Sequence, residues 1–278
     1  MILWLNGAMV SDSEARIAPS DHGFLVGDGV FETLRVYAGV PFAWGRHRLR
    51  LEHSAAALGL SLPSDEVLRS AADDVIAMNA LPDCRMRVTI TGGESSLGSD
   101  QSASPVTAVI AVGHLTEWPA TASVATVPWT RNERGATAGL KTTSYAENVR
   151  ALTFAKDHGA SEAIFANTRG ELCEGTGSNV FLLQDGVLVT PPLSSGCLAG
   201  VTRALVIELA QTLGIPCEER DMPLAALAGA SEAFLTSSTR EIQAIGAVDG
   251  VSLSSAPGPI TLQLQSAWRD LLSTTLEP

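Results

Sequence analysis

Apolar and polar residues follow one another in this chain with two different periods, and the switches between them mark its elements. "MILWLNG" is a short apolar run closed by Asn-Gly, which predicts a strand and a turn. "GVFETLRVYAGVPF" reads as a hairpin, with "YAG" turning between two apolar runs. "RHRLRLEHSAAALGL" changes to helical spacing and stops at Gly59. A second helix is predicted over "SDEVLRSAADDVIAMNAL", with Ser64 as its N-cap and Pro82 just past its end. "RMRVTITGG" and "SPVTAVIAVGHL" return to strand patterns.

Around "LTEWPATASVATVPWT" the pattern turns irregular and two prolines enter. A linker is expected at 117–122, between a small N-terminal domain (1–116) and a larger domain (123–278). In the larger one the strands "EAIFANT", "NVFLLQDGVLVT" and "SEAFLTSS" alternate with the helices "YAENVRALTFAKDHG" and "TRALVIELAQTLG". The expected class is α+β, with two mixed domains. The cleft between two such domains is the default place for a site.

A length of 278 residues allows one large core or two modest ones. Hydrophobic residues at 45% and charged residues at 17% are ordinary for a globular protein. The net charge of −12, without a basic block, argues against nucleic acid as a partner. No run approaches the ~18 apolar residues of a membrane span. The start has no basic segment followed by an apolar one, so a signal peptide is not expected, and the scattered cysteines make a reducing cytoplasm the expected location. Cys84, Cys173, Cys197 and Cys217 are scattered and form no CxxC pair; they read as small buried residues rather than as a disulfide or metal site.

Lysine usage raises the chemical question. The chain has 16 arginines and only two lysines, Lys141 and Lys156. Lys156 lies in an amphipathic helix and reads as solvated. Lys141 follows the small, apolar "ATAGL", where partial desolvation favours the uncharged amine, which can attack a carbonyl as a guanidinium cannot. Alone it would be read as a surface lysine. Glu174, however, heads the glycine-containing turn "CEGTGSNV" and can hydrogen-bond a heterocycle nitrogen. Val201 and Thr202 open a helix, and Ser237, Ser238 and Thr239 end a strand; amides and hydroxyls so placed make a phosphate site. An amine, a carboxylate and an anion cradle are together what pyridoxal 5'-phosphate requires.

The blocks "DHGFLVGDGVFETLRVY", "HRLRLEHSA", "GLKTTSYAENV", "EAIFANTRGELCEGTGSNVFLL", "CLAGVTR" and "EAFLTSSTREI" resemble the class IV (fold-type IV) pyridoxal-phosphate aminotransferases over nearly the whole chain. That group contains D-amino-acid aminotransferases, branched-chain aminotransferases and 4-amino-4-deoxychorismate lyases. The resemblance implies a two-domain α+β fold with the cofactor in the interdomain cleft. It implies that Lys141 forms the Schiff base and shuttles the proton, and that Glu174 holds the pyridine nitrogen. It further implies that Arg50 grips the phosphate with Val201, Thr202, Ser237 and Ser238, that Tyr145 reaches the phenolic oxygen, and that Leu198 lies under the ring. Relatives are usually homodimers completed by a neighbour's loop, for which "DHGFLVGDG" and "GGESSLGSD" are candidates; residues 92–104 could close over the substrate.

The partner of the substrate carboxylate is a departure. D-amino-acid enzymes carry an arginine and a histidine after the strand that here reads "RVTITGG"; this chain has Thr91, Gly92 and Gly93. The Tyr-x-Arg-Pro pattern of branched-chain enzymes is missing as well. Phe31 stands where D-amino-acid enzymes often have tyrosine, and "GDGVFET" leans toward the lyases. Arg85, Arg87, Thr89 and Thr91 share a face of a regular strand. Arg87 is therefore a candidate carboxylate partner, the alternative being an edge-strand arginine facing water; the Thr239 N–H is another. The implied activity is transamination between a D-amino acid and a 2-keto acid, with the lyase reaction as the alternative.

Overall fold

The computed structural model describes residues 1–100 and 104–278. They fall into two compact units. The first is Met1–Thr116 with Leu140–Tyr145 and Glu277; the second is Glu117–Gly139 with Ala146–Leu276 and Pro278.

The first unit contains β1 (Ile2–Leu5), β2 (Ala8–Ser11), α1 (His22–Leu25), β3 (Gly29–Tyr37), β4 (Val40–Pro41), α2 (Trp44–Ala57), α3 (Asp65–Asn79), β5 (Cys84–Thr91) and β6 (Thr107–Gly113). The strands make one antiparallel sheet in the order β2-β1-β6-β5-β3-β4. Alternation decides its faces. Val30, Leu34 and Val36 of β3, Met86, Val88 and Ile90 of β5, and Ile110 of β6 pack with Leu51, Leu68 and Val75 of the two helices. Arg85, Arg87, Thr89 and Thr91 take the other face, as expected. But β5 lies between β3 and β6, so Arg87 is not an edge-strand residue. Ser64 caps α3 by accepting the Val67 N–H at 3.4 Å. α2 has no side-chain cap of its own; the Glu277 carboxylate takes the Trp44 and Gly45 N–H groups at 3.0 and 2.7 Å.

One expectation changes here. Leu140–Tyr145, assigned by sequence to the domain 123–278, groups with the first unit: Phe31 N–H donates to the Lys141 carbonyl at 3.0 Å and Thr143 N–H to the Gly29 carbonyl at 2.8 Å. "DHGFLVGDG", a candidate for a neighbour's loop, is tied down within its own chain. Asp21, 1% exposed, accepts from Gly23 N–H and from Thr91 Oγ1, and so caps α1 against β5. His22 N–H is bonded to Gly93 O and Ser95 N–H to Ser20 O, so this segment and "GGESSLGSD" lie side by side. The expected closing segment 92–104 includes residues 101–103, which lie outside the described residues.

The second unit contains β7 (Thr121–Arg131), α4 (Ala146–Asp157), β8 (Glu162–Asn167), β9 (Leu172–Gly175), β10 (Asn179–Gln184), β11 (Val187–Thr190), α5 (Val201–Thr212), β12 (Cys217–Glu219), β13 (Glu232–Ser237), β14 (Glu241–Val248), β15 (Val251–Ser252) and α6 (Pro259–Thr274). Its mixed sheet runs β12-β11-β10-β13-β14-β7-β8-β9, with β15 on β14. Strand β7 occupies the stretch that reads as irregular, and Thr121 and Ala122 of the expected linker belong to it. Pro128 and a register shift between Thr126 and Thr130 hide its alternation. Lys156 is exposed on α4, and Cys84, Cys173 and Cys197 are buried, all four cysteines being free. Among the described residues no helix is long and apolar enough to cross a membrane.

Candidate active site

In the first unit the site builds around one aromatic ring. Phe31, 4% exposed, takes the sheet face opposite Val30. The Arg87 guanidinium lies 3.6 Å from its ring centre and Lys141 Nζ lies 4.3 Å from it. Tyr145 meets the same ring edge-on at 5.1 Å. Arg87 Nε donates to Thr89 Oγ1 at 3.0 Å, which turns the guanidinium along the strand. The main chain of Lys141 is fixed on both sides: its N–H donates to Ser54 Oγ of α2 at 3.2 Å and its carbonyl accepts from Phe31. The rigid backbone leaves only the alkyl stem to move the amine. Four residues singled out by sequence, Phe31, Arg87, Lys141 and Tyr145, are thus brought together.

Arg50, expected at the phosphate, reaches into the same unit from α2. Its Nε donates to Glu32 Oε1 at 2.8 Å and its Nη2 to Glu32 Oε2 at 2.7 Å. His47 Nδ1 stands 2.6 Å from Glu32 Oε2. Burial pushes the Glu32 carboxyl up, but the charge and hydrogen bonds of Arg50, then of His47, outweigh it and hold it well below the usual carboxylate range. Burial pushes the His47 imidazole down, and Glu32 offsets this only in part. Arg48, the other arginine of this turn of helix, faces Glu52 and Asp65 at 3.0 and 3.6 Å and is accounted for by those contacts.

In the second unit Glu174 lies next to the end of β9 with both oxygens engaged. Oε2 accepts the Leu198 N–H at 2.9 Å and Oε1 lies 3.1 Å from Arg131 Nε. The Arg131 guanidinium stacks 4.3 Å over Phe165 and donates to Asn148 Oδ1 at 3.0 Å. The Leu198 carbonyl accepts from Asn179 Nδ2 at 2.8 Å. A Cβ at Gly200 would stand 2.0 Å from Asn179 Oδ1, so only glycine fits before α5. That glycine is the N-cap of α5 and supplies no side-chain acceptor to the first turn, where Val201 and Thr202 are buried. Ser237 Oγ accepts the Arg240 N–H at 3.2 Å and starts the turn through Ser238 and Thr239. Thr236 Oγ1 is buried without a hydrogen-bond partner among the described residues.

These residues suit pyridoxal phosphate. A helix start without a side-chain cap is an anion site. A carboxylate pinned by an amide and a guanidinium is pre-aimed to hold a ring nitrogen, and an amine over an aromatic face serves the aldehyde. A sequence model of the amino-transferase class IV family matches residues 29–248. The chain belongs to that family. It is 33% identical to a putative branched-chain-amino-acid aminotransferase of Methanocaldococcus jannaschii, over 98% of this chain and 96% of the relative. It is 34% identical to a D-alanine aminotransferase of Listeria monocytogenes, over 95% and 93%. The crystal structure of the Escherichia coli branched-chain amino acid aminotransferase superposes with a TM-score of 0.92 at 30% identity, covering 97% of this chain and 94% of that one. The protein is a pyridoxal-phosphate-dependent transaminase of the fold-type IV architecture.

Glu32, His47 and Arg131 were missed by sequence reasoning. Glu32 had a signal: a carboxylate at the core-facing position between Val30 and Leu34. Arg131 had none, because it ends the strand whose pattern is hidden.

Proposed function

We propose that this class IV aminotransferase moves an amino group between a D-amino acid and a 2-keto acid, with Arg87 as the partner of the substrate carboxylate. The observation that carries this reading is the shared ring: the Arg87 guanidinium and Lys141 Nζ both lie on Phe31, at 3.6 and 4.3 Å. A cation held on the same ring as the catalytic amine can bind an α-carboxylate while the amine works at Cα. Pyridoxal phosphate, when bound, supplies the electron sink for the substrate's Cα electrons. In this reading Lys141 Nζ takes the Cα proton and returns it two atoms away, at what was the cofactor's aldehyde carbon. Glu174 keeps a proton on the ring nitrogen, with Arg131 and Leu198 N–H fixing its oxygens. Arg50, the first turn of α5, Ser237 and Ser238 hold the phosphate, Leu198 supports the ring, and Tyr145 orients its phenolic oxygen. The Thr239 N–H is a second donor to the substrate carboxylate.

An L-branched-chain donor is the second reading, favoured by the branched-chain relatives and by the structural match above. A panel of half-reactions followed by absorbance decides between them. D-alanine should bleach the yellow enzyme. A response confined to L-leucine or L-valine overturns the stereochemical assignment, and pyruvate released from aminodeoxychorismate without bleaching points to the lyase.

The working form in this reading is a homodimer. Phe24, Val26 and Leu97, on the two segments described above, are 77%, 47% and 85% exposed, apolar side chains that a second copy could cover. Light scattering should give twice the chain mass; a monomer that retains full activity contradicts it.

A further inference from the structure

The second unit holds a buried ion pair outside the residues assigned so far. Glu162, the first residue of β8, is 1% exposed. Its Oε1 accepts from the N–H groups of Ala163 and Thr176, both at 3.0 Å, and from Thr176 Oγ1. Its Oε2 accepts from Ser178 Oγ at 3.2 Å and from Arg240 Nη2 at 3.2 Å. Glu162 therefore fixes the turn that follows Glu174, and Gly175 is needed there because a Cβ would meet Ser178 Oγ at 2.3 Å.

Arg240 reaches the same carboxylate from the other turn. It follows Thr239, its side chain is 6% exposed, and it packs on three sides. Nη1 donates to Gln243 Oε1 at 2.7 Å, and the guanidinium stacks 3.7 Å over the Trp118 indole. Gln243 Nε2 in turn donates to the Pro119 carbonyl at 2.7 Å. The chain leaves this turn through Glu241 at φ +57°, a left-handed conformation costing about 1–2 kcal/mol for a residue with a Cβ. Such a turn keeps its shape only where its surroundings over-determine it. The contacts of Arg240 do so.

We infer that Arg240 is a positioning residue, which through Glu162 sets the Ser237–Thr239 turn in register with the Glu174–Ser178 turn. The inference rests on the reading that both turns serve one pyridoxal phosphate. The two opposite charges balance each other, so the pair acts on shape rather than on the local potential. Arginine is required, because a lysine ammonium cannot contact Glu162 and Gln243 in one plane while covering Trp118.

Single variants such as R240M orphan a buried charge and can fail for stability alone. The test is therefore the double variant E162Q/R240M beside R240K, read by thermal unfolding, by titration with pyridoxal phosphate and by the 31P resonance of the bound phosphate. The double variant should recover the thermal stability lost by R240M. It should still bind pyridoxal phosphate about tenfold to hundredfold more weakly, with a displaced 31P signal. R240K should not restore the wild-type signal. A double variant with wild-type affinity and resonance overturns the inference. Wild-type protein that takes up no pyridoxal phosphate overturns the reading beneath it.

Discussion

Arg50 meets Glu32 edge to edge, Nε to Oε1 at 2.8 Å and Nη2 to Oε2 at 2.7 Å, with both groups enclosed between α2 and β3. Removing one member of such a pair leaves a buried charge without its partner. Glu32→Gln should therefore cost about 3–5 kcal/mol of stability, seen as a lower urea midpoint. A midpoint within error of the parent would mean that the pair is not buried in solution.

The same cluster sets a pH response. The folded-state pKa of His47 lies below 6.5, so the unfolded chain takes up that proton first. Its contribution is complete above pH 6.5 and is lost as pH falls below that value. The carboxyls of Glu32 and Glu133 are depressed from 4.5, Glu133 to about 2 by its hydrogen bonds from Thr168. Their contributions are present above pH 4.5 and lost as pH drops toward the folded values. The melting temperature should be level from pH 7 to 8, sag from about 6.5 and fall faster below 4.5. His47→Gln should remove the first decline; a profile unchanged by it contradicts the assignment.

Arg87 should separate binding of acids from binding of amines. Arg87→Met should raise the KM for a D-amino acid about tenfold to hundredfold, the worth of a charge-assisted pair. An amine without a carboxylate should react as with the parent. Equal losses for both substrates would assign Arg87 to the scaffold.

Glu174→Ala should slow the half-reaction on the order of 10²-fold by removing a preorganised charge at the ring nitrogen, while Lys141 still attaches the cofactor. Stopped-flow absorbance separates the two effects. An unchanged rate excludes the role given to Glu174.

Burial pushes the Cys84 and Cys197 thiols up to about 11, and that of Cys173 higher still. Folded protein should release colour from an aromatic disulfide reagent at Cys217 alone, the one half-buried cysteine, and at all four in urea. Rapid reaction at Cys173 in the folded state would contradict the packing around Glu174.

How much of this was legible depended on whether the signal was local. Ser64 capping α3, or Arg85, Arg87, Thr89 and Thr91 on one face of β5, needs only neighbouring residues, and the sequence shows both. The pairing of Glu32 with Arg50, or of Glu162 with Arg240, joins residues 18 and 78 positions apart, and spacing carries no trace of it. Strand β7 was hidden for another reason: Pro128 interrupts its alternation. α6 escaped notice because Thr261, Leu264 and Trp268 are its buried positions, and one of the three is polar. The placement of Leu140–Tyr145 beside β3 rests on backbone hydrogen bonds, which side-chain patterns do not encode.

The identity of the residue that carries the cofactor tests the whole account most directly. The holoenzyme would be reduced with borohydride, digested, and the phosphopyridoxyl peptide sequenced by mass spectrometry. The label is expected on Lys141 within "GLKTTSYAENVR". A label on Lys156, or none on yellow protein, would contradict the assignment on which every role above depends.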